Sequence, residues 1–200
     1  MAYGTNAPWG LLPDRYANGS PYTGTTNQYN IASGYATSLF TNDPVTTLND
    51  GTIGIGVAAA AIRGIFMGCK YTDTLGSVKF YPYWPASTTV QTGSTVVALV
   101  IDDPNIVVNM QETNGSGAAG TALALADRGL NADFYVGAGN TTTGLSGTTL
   151  NNATEATTAT LNMKILDLTP VPGNVVGSFA NWLCTINNHQ FKGGTGTAGV

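Results

Sequence analysis

Side chains that commonly carry enzyme chemistry are scarce in this sequence. His189 is the only histidine, Cys69 and Cys184 are the only cysteines, and Glu112 and Glu155 are the only glutamates. A nucleophilic triad needs a base to take the proton of its serine, and His189 is the only histidine that could serve there. It lies in the amide-rich stretch "INNHQF", near the end of a predicted strand, which is typical of a hydrogen-bonded structural residue. We therefore predict that the chain is not an enzyme.

Two short motifs match chemical signatures only in part. "GLSGT", residues 144–148, has Thr148 where the nucleophile elbow G-x-S-x-G has its second glycine. "GSGAAG", residues 115–120, fits G-x-G-x-x-G, but a dinucleotide site also needs a strand before it and a true helix after it. The candidate for that helix is the short stretch 117–129, ended by Gly129. With one histidine and two distant cysteines, we predict no metal and no cofactor.

The composition is that of a folded protein with few charges. Charged residues make up 9% of the 200 residues and hydrophobic residues 42%, and Phe134 to Thr154 contains no charged side chain. Typical soluble domains carry about 25% charged residues, so a surface of hydroxyls and amides favours a protein covered by neighbours in a large assembly. The seven basic residues are scattered and the net charge is −4, which argues against contact with nucleic acid.

The sequence also predicts where the chain is found. Its start has no basic and apolar leader, and its most apolar stretch is interrupted by Arg63 and glycines, so we expect synthesis in a cytoplasm and no membrane contact. In such a compartment the two cysteines are expected to be buried thiols rather than a disulfide.

Short β-like runs separated by turn residues fill the chain after residue 30. Residues 62–72 and 77–84 flank "DTLG" as a hairpin, and residues 95–101 and 105–112 flank a tight turn at Pro104. Alternation in "WLCTINN" places Trp182, Cys184 and Ile186 on one inner face. We predict a mainly β protein with a single β-sandwich or β-barrel (jelly-roll-like) core domain over residues 31–200.

Residues 1–30 are predicted to form an extended N-terminal arm. Prolines oppose a helix there, while the aromatic residues are too numerous for a disordered tail. We expect the arm to lie on a neighbouring subunit; the alternative is that its rings fold back on their own domain. The residues that we expect at such an interface are Pro8, Trp9, Pro13, Tyr16, Pro21 and Tyr22.

Several stretches, in order, resemble a family of tailed-bacteriophage head structural proteins. They are "NAPWGLLPDRYANGSPYTGTTNQY" (6–29), "GIFMGCKYTDTLGSVKFYPYWPAST" (64–88), "VIDDPNIVVNMQ" (100–111), "GNTTTGLSG" (139–147) and "INNHQF" (186–191). Some members of that family are capsid decoration or cement proteins. The resemblance implies a virion protein, assembled in the host cytoplasm, that binds the outside of the major capsid protein shell and stabilises it against internal DNA pressure.

The resemblance leaves other virion roles open. Closed symmetry makes self-association as a trimer or dimer an expectation. Alternative roles are a glycan- or receptor-binding head or tail appendage, and a tail-tube or connector component. A glycan-binding appendage is expected to show exposed Trp or Tyr beside Asp and Asn at loop tips, whereas a tube component would form rings.

Overall fold

The computed structural model of the chain describes residues 4–193 and 195–200. Strands make up 38% of the structure, and the described residues contain no α-helix. One sheet is nearly closed into a barrel shape and the others pack beside it, so the predicted mainly β sandwich or barrel class is confirmed.

Fifteen strands are present in the described residues. They are β1 (Leu12–Tyr16), β2 (Asn27–Ile31), β3 (Leu39–Phe40), β4 (Pro44–Thr47), β5 (Ile53–Ile55), β6 (Gly64–Thr72), β7 (Val78–Tyr81), β8 (Tyr83–Trp84), β9 (Val96–Ile101), β10 (Ile106–Thr113), β11 (Asn131–Ala132), β12 (Phe134–Tyr135), β13 (Thr149–Asn151), β14 (Met163–Leu168) and β15 (Asn181–Ile186). Two single 3₁₀ turns, Leu125–Asp127 and Gln190–Lys192, complete the regular structure.

The strands form two large sheets and one ribbon. The seven-stranded sheet has the order β11-β14-β15-β10-β13-β12, with β1 added to β10. The six-stranded sheet has the order β2-β9-β6-β4-β5, with β7 added to β6, and β3 pairs with β8 as a two-stranded ribbon. Most neighbours are antiparallel; β10 and β13 run parallel.

Two of the predicted connections between strands are formed by short turns. β6 and β7 form the expected antiparallel hairpin around residues 73–77, with Thr72 opposite Val78. The amide of Ile106 donates to the carbonyl of Asp103 at 3.2 Å, which closes the tight turn with Pro104 at its second position. That turn carries the chain from the six-stranded sheet to the seven-stranded one.

Two clusters of buried side chains make up the core. The first joins the two large sheets and contains Met110 and Trp182 from one and Ile65 and Ile101 from the other. The second lies on the inner face of the six-stranded sheet, under the β3–β8 ribbon, around Phe66 and Trp84. Trp182, Cys184 and Ile186 are fully buried together, as the alternation predicted.

The predicted short helix over residues 117–129 is wrong. Within this range only Leu125–Asp127 form a helical turn, and it is a 3₁₀ turn. The amide of Leu123 donates to the buried carboxylate of Glu112 at 2.8 Å, and its side chain enters the core. These contacts keep the preceding residues 117–122 irregular. The alanines and glycines of that segment bury too little apolar area to stabilise a helix against them. No helix in the described residues is long and apolar enough to cross a membrane.

Candidate interaction surface

His189 is enclosed by the fold. It is fully buried and precedes the 3₁₀ turn Gln190–Lys192, where its Nδ1 accepts the amide hydrogen of Phe191 at 3.0 Å. Burial, and then the nearby Lys192, lower the pKa of its imidazole to about 4. A neutral imidazole that is closed off from solvent cannot come within hydrogen-bond distance of a substrate to take its proton.

The two cysteines are free and buried. Burial raises the pKa of the Cys69 thiol to about 12 and that of the Cys184 thiol further still, so both are protonated at neutral pH. Thiols in this state pack as small apolar groups and are poor nucleophiles.

The charge-free stretch from Phe134 to Thr154 is buried only in part. Ser146 and Thr148 are buried, and their hydroxyls donate to the carboxylate of Asp43, which also accepts the amide hydrogen of Phe40. Burial raises the pKa of Asp43 to about 6, although these hydrogen bonds oppose the shift. These two hydroxyls therefore bind another part of the fold, whereas Thr141, Thr142 and Thr143 of the same stretch are exposed.

The remaining motifs form ordinary loops. The side chain of Asn114 accepts the amide hydrogens of Ser116 and Ala118, which folds "GSGAAG" into a turn after β10. No α-helix follows it, so the geometry for a pyrophosphate is missing from this loop. Among the described residues no group of three or more His, Cys, Asp or Glu side chains lies close enough to hold a metal ion.

The N-terminal segment lies along its own domain. β1 pairs with β10, and Leu11 before it is fully buried. Trp9 is 7% exposed and donates from its indole nitrogen to the carbonyl of Asn109 at 3.2 Å. β2 joins the six-stranded sheet beside β9. Residues 1–3 of the predicted arm lie outside the described residues.

The six residues that the sequence placed at an interface differ in exposure. Trp9 is buried and Pro8 and Pro13 are half-buried. The rings of Tyr16 and Tyr22 meet edge to face with 6.2 Å between centroids, and both pack against the first core cluster. The remaining residue of the six, Pro21, is exposed. Contact of this segment with another subunit stays a prediction.

A group of exposed apolar side chains lies on the β6–β7 hairpin; the sequence predicted the hairpin but not this surface. Phe80 is 73% exposed, Val78 55%, and Leu75 at the hairpin tip 89%. Phe80 lies opposite Lys70, and Lys70 in turn lies opposite Val97 of β9, so these side chains share one face of the sheet. Single exposed apolar side chains are common, but a contiguous group is typical of an interaction site.

We call this surface the hairpin face and define it by Lys70, Thr72, Val78, Phe80, Val97 and Leu99. The ammonium of Lys70 lies 5.3 Å from the centre of the Phe80 ring, within the range of a cation–π contact. The hollow in the hairpin face is also lined by Gln28, Ser94 and Thr95. The face thus combines apolar side chains and hydroxyls with one cation.

A second surface lies at the loop tips beside β1. Tyr16, Asn18, Ser20, Asp103 and Asn105 line an open hollow there. Asn105 accepts the amide hydrogen of Ala17 through its carbonyl at 2.9 Å, which holds the two loops together. The glycan-binding alternative expects an exposed aromatic ring beside Asp and Asn at loop tips; the Asp and Asn residues are present here, but Tyr16 is half-buried.

Comparison with protein families, with curated proteins and with solved structures finds no match for the chain.

Proposed function

We propose that this protein is a capsid decoration or cement protein of a tailed bacteriophage, which binds the outer surface of the major capsid protein shell and stabilises it against internal DNA pressure. The observation that carries the proposal is the hairpin face, a contiguous apolar surface on a chain with 9% charged residues. Such a surface gains free energy when a neighbouring protein covers it.

The chemistry of the hairpin face fits a protein partner. Phe80 and Val78 offer apolar area, and burial of one such side chain contributes about 1.5–3 kcal/mol. The hydroxyls of Thr72 and Thr95 can hydrogen-bond at the rim without the desolvation cost of a charge. Affinity built this way depends little on salt, which suits a protein that must stay on a virion outside the cell.

Stabilisation of the shell would come from many equal contacts. A standard specific interface covers about 1,600 Å², and a protein that binds only the assembled shell shifts the equilibrium toward it. A trimer would match the local three-fold positions of an icosahedral shell, and a dimer the two-fold positions. Self-association of this chain is part of the proposal.

Co-sedimentation with mature shells that lack the protein tests the proposal. We expect saturable binding at a fixed ratio to the major capsid protein, and weaker binding for Phe80→Ser. Leu125→Ser is the matched control, because Leu125 is also an exposed apolar side chain but lies in a 3₁₀ turn beside the other sheet. Failure of the wild-type protein to bind expanded shells would refute the decoration role.

A glycan-binding appendage is the second candidate function. The hollow lined by Tyr16, Asn18, Asp103 and Asn105 supports it, since sugars bind to aromatic rings flanked by hydrogen-bonding side chains. A glycan array with the wild-type protein and Asn105→Ala tests it. Binding that this exposed substitution weakens would favour a receptor role, and an array without signal would count against it.

A further inference from the structure

The strand β7 has an open edge. It pairs with β6 from Cys69↔Tyr81 to Thr72↔Val78, and no second strand pairs with it in the part of the chain that the structure describes. Proteins usually shield such edges, because unpaired backbone groups pair readily with another chain. Here the edge is left with exposed Val78 and Phe80 side chains.

The hairpin geometry fixes which backbone groups face outward. The amide of Asp73 donates to the carbonyl of Ser77 at 2.9 Å, so residues 73 and 77 form a hydrogen-bonded pair. Such pairs alternate along an antiparallel ladder, which makes Lys79 and Tyr81 the next residues of β7 bonded to β6. The N–H and C=O groups of Val78 and Phe80 therefore point to the open edge.

The charges of the hairpin restrict the partner. Residues 69–81 contain Lys70, Lys79 and Asp73, a local charge of +1, whereas the whole chain carries −4. Lys79 lies 3.4 Å from Asp73, so one carboxylate already accompanies two ammonium groups. An incoming strand with carboxylates would complement this edge better than a neutral or basic one.

A second copy of β7 is a poor occupant. Pairing Val78 of one copy with Phe80 of the other would place the two Lys79 side chains opposite each other at the symmetry axis. Like charges directly across a strand pair are destabilising, and an edge lysine is a usual device against self-pairing.

We propose that an extended segment of the partner protein, alternating apolar and acidic residues, adds to β7 as a new strand and hydrogen-bonds the backbone of Val78 and Phe80. The segment's apolar side chains would lie beside Val78 and Phe80 on the hairpin face, and its carboxylates beside Lys79. The inference rests on the proposed function for the identity of the partner, the major capsid protein.

Val78→Pro is the discriminating variant. Proline removes the outward N–H and leaves the bonds to β6 in place, and edge strands tolerate it there. Val78→Thr is the matched control, since it keeps both the N–H and the β-branched shape. In co-sedimentation with shells, we expect Val78→Pro to bind about tenfold more weakly than Val78→Thr.

Hydrogen exchange of the wild-type protein gives a readout that needs no variant. The Val78 and Phe80 amides should exchange rapidly in the free protein and become protected on shells. The Lys79 amide, which bonds to β6, should be protected in both states.

The outcomes separate the two proposals. Wild-type binding with equal affinity for Val78→Pro and Val78→Thr, and with no new protection at residues 78 and 80, would overturn strand addition while leaving decoration intact. A wild-type protein that does not bind shells would overturn the decoration role and, with it, the partner proposed for this edge. If Val78→Pro does not fold, the exchange measurement on the wild-type protein decides the question.

Discussion

The two large sheets differ in which side chains they bury and which they leave exposed. Strands of the seven-stranded sheet bury polar residues, among them Gln111, Glu112, Asn131 and Asn181. Strands of the six-stranded sheet bury no Asn, Gln, Asp or Glu within the described residues. That sheet instead leaves large apolar side chains exposed on the hairpin face.

Buried amides on the first side bind loops to the sheet. Asn187 donates to the carbonyls of Ala159 and Leu161, and Asn131 donates to those of Thr158 and Thr197. Each of these carbonyls belongs to irregular chain. The side-chain amides therefore hydrogen-bond backbone carbonyls that, within a sheet, would bond to the neighbouring strand. They do so without a charged group.

This contrast explains how a chain with few charges uses its polar residues. On the seven-stranded side, asparagine and threonine stabilise the protein's own fold. On the six-stranded side, the strands bury mainly apolar side chains, and under our proposal the exposed apolar groups bind a partner. Stability and binding are consequently expected to respond to different substitutions.

The largest difference is expected between two aromatic residues. Trp9→Ala should lower the free energy of unfolding by about 4 kcal/mol, because the indole is buried and its nitrogen bonds to Asn109. Phe80→Ala should change it by no more than about 0.5 kcal/mol, because that ring is mostly exposed. Urea denaturation of both variants measures this, and equal losses would contradict the assignment of Trp9 to the protein's own core.

Removal of a loop-binding amide should have the next largest effect. Asn187→Ala loses two donated hydrogen bonds and the two that its Oδ1 accepts from Thr197. We expect a loss of about 3 kcal/mol in unfolding free energy, since buried carbonyls are left unpaired. Asn30→Ala, at an exposed position of β2, is the control and should cost little. A small effect at residue 187 would mean that water replaces the amide.

Sequence reasoning succeeded where the determinants are local. The hairpin at residues 73–77 and the turn at Pro104 follow from a few neighbouring residues, and the inner face of β15 follows from alternation. The class of fold follows from many such short runs together.

Long-range partners could not be predicted in the same way. The bonds of Asn187 depend on where a loop 28 residues away returns to the sheet. In "SVKFYPYW" alternation groups Phe80 with Val78 and Trp84, opposite Ser77 and Lys79. The pattern therefore favours an inward Phe80, whereas the ring is 73% exposed. The burial of Trp9 against its own domain likewise depends on a distant group, the carbonyl of Asn109 on β10.

The polar interior should also give the protein a pH response. Burial raises the pKa of Glu112 to about 7, against hydrogen bonds from Leu123 and Asn152 that oppose the shift. Its folded form prefers the proton, so its contribution to stability is fully present below about pH 4.5 and is lost as the pH rises toward 7. Between pH 4.5 and 8 we expect the wild type to lose about 2–3 kcal/mol relative to Glu112→Gln.

The comparison between wild type and Glu112→Gln isolates this carboxyl. Asp43, with a pKa of about 6, and His189, with a pKa of about 4, contribute equally to both proteins. His189 acts in the opposite direction, because its folded form prefers to be neutral and stability falls as the pH drops below 6.5. Parallel pH curves of unfolding free energy for the two proteins would show that the folded pKa of Glu112 is close to its unfolded value.

The smallest expected effect concerns the lysine at the open edge. Lys79→Gln removes a cation that pairs with Asp73, and Arg128→Gln removes one that pairs with Asp167 beside the other sheet. Both pairs are at least partly exposed to solvent, so each substitution should change stability by less than about 0.5 kcal/mol. Only Lys79→Gln should slow association with shells, by about two- to fivefold at low salt, because attraction between opposite charges speeds encounter. Binding kinetics at two ionic strengths test this, and equal rates for the two variants would place the acidic partner segment away from β7.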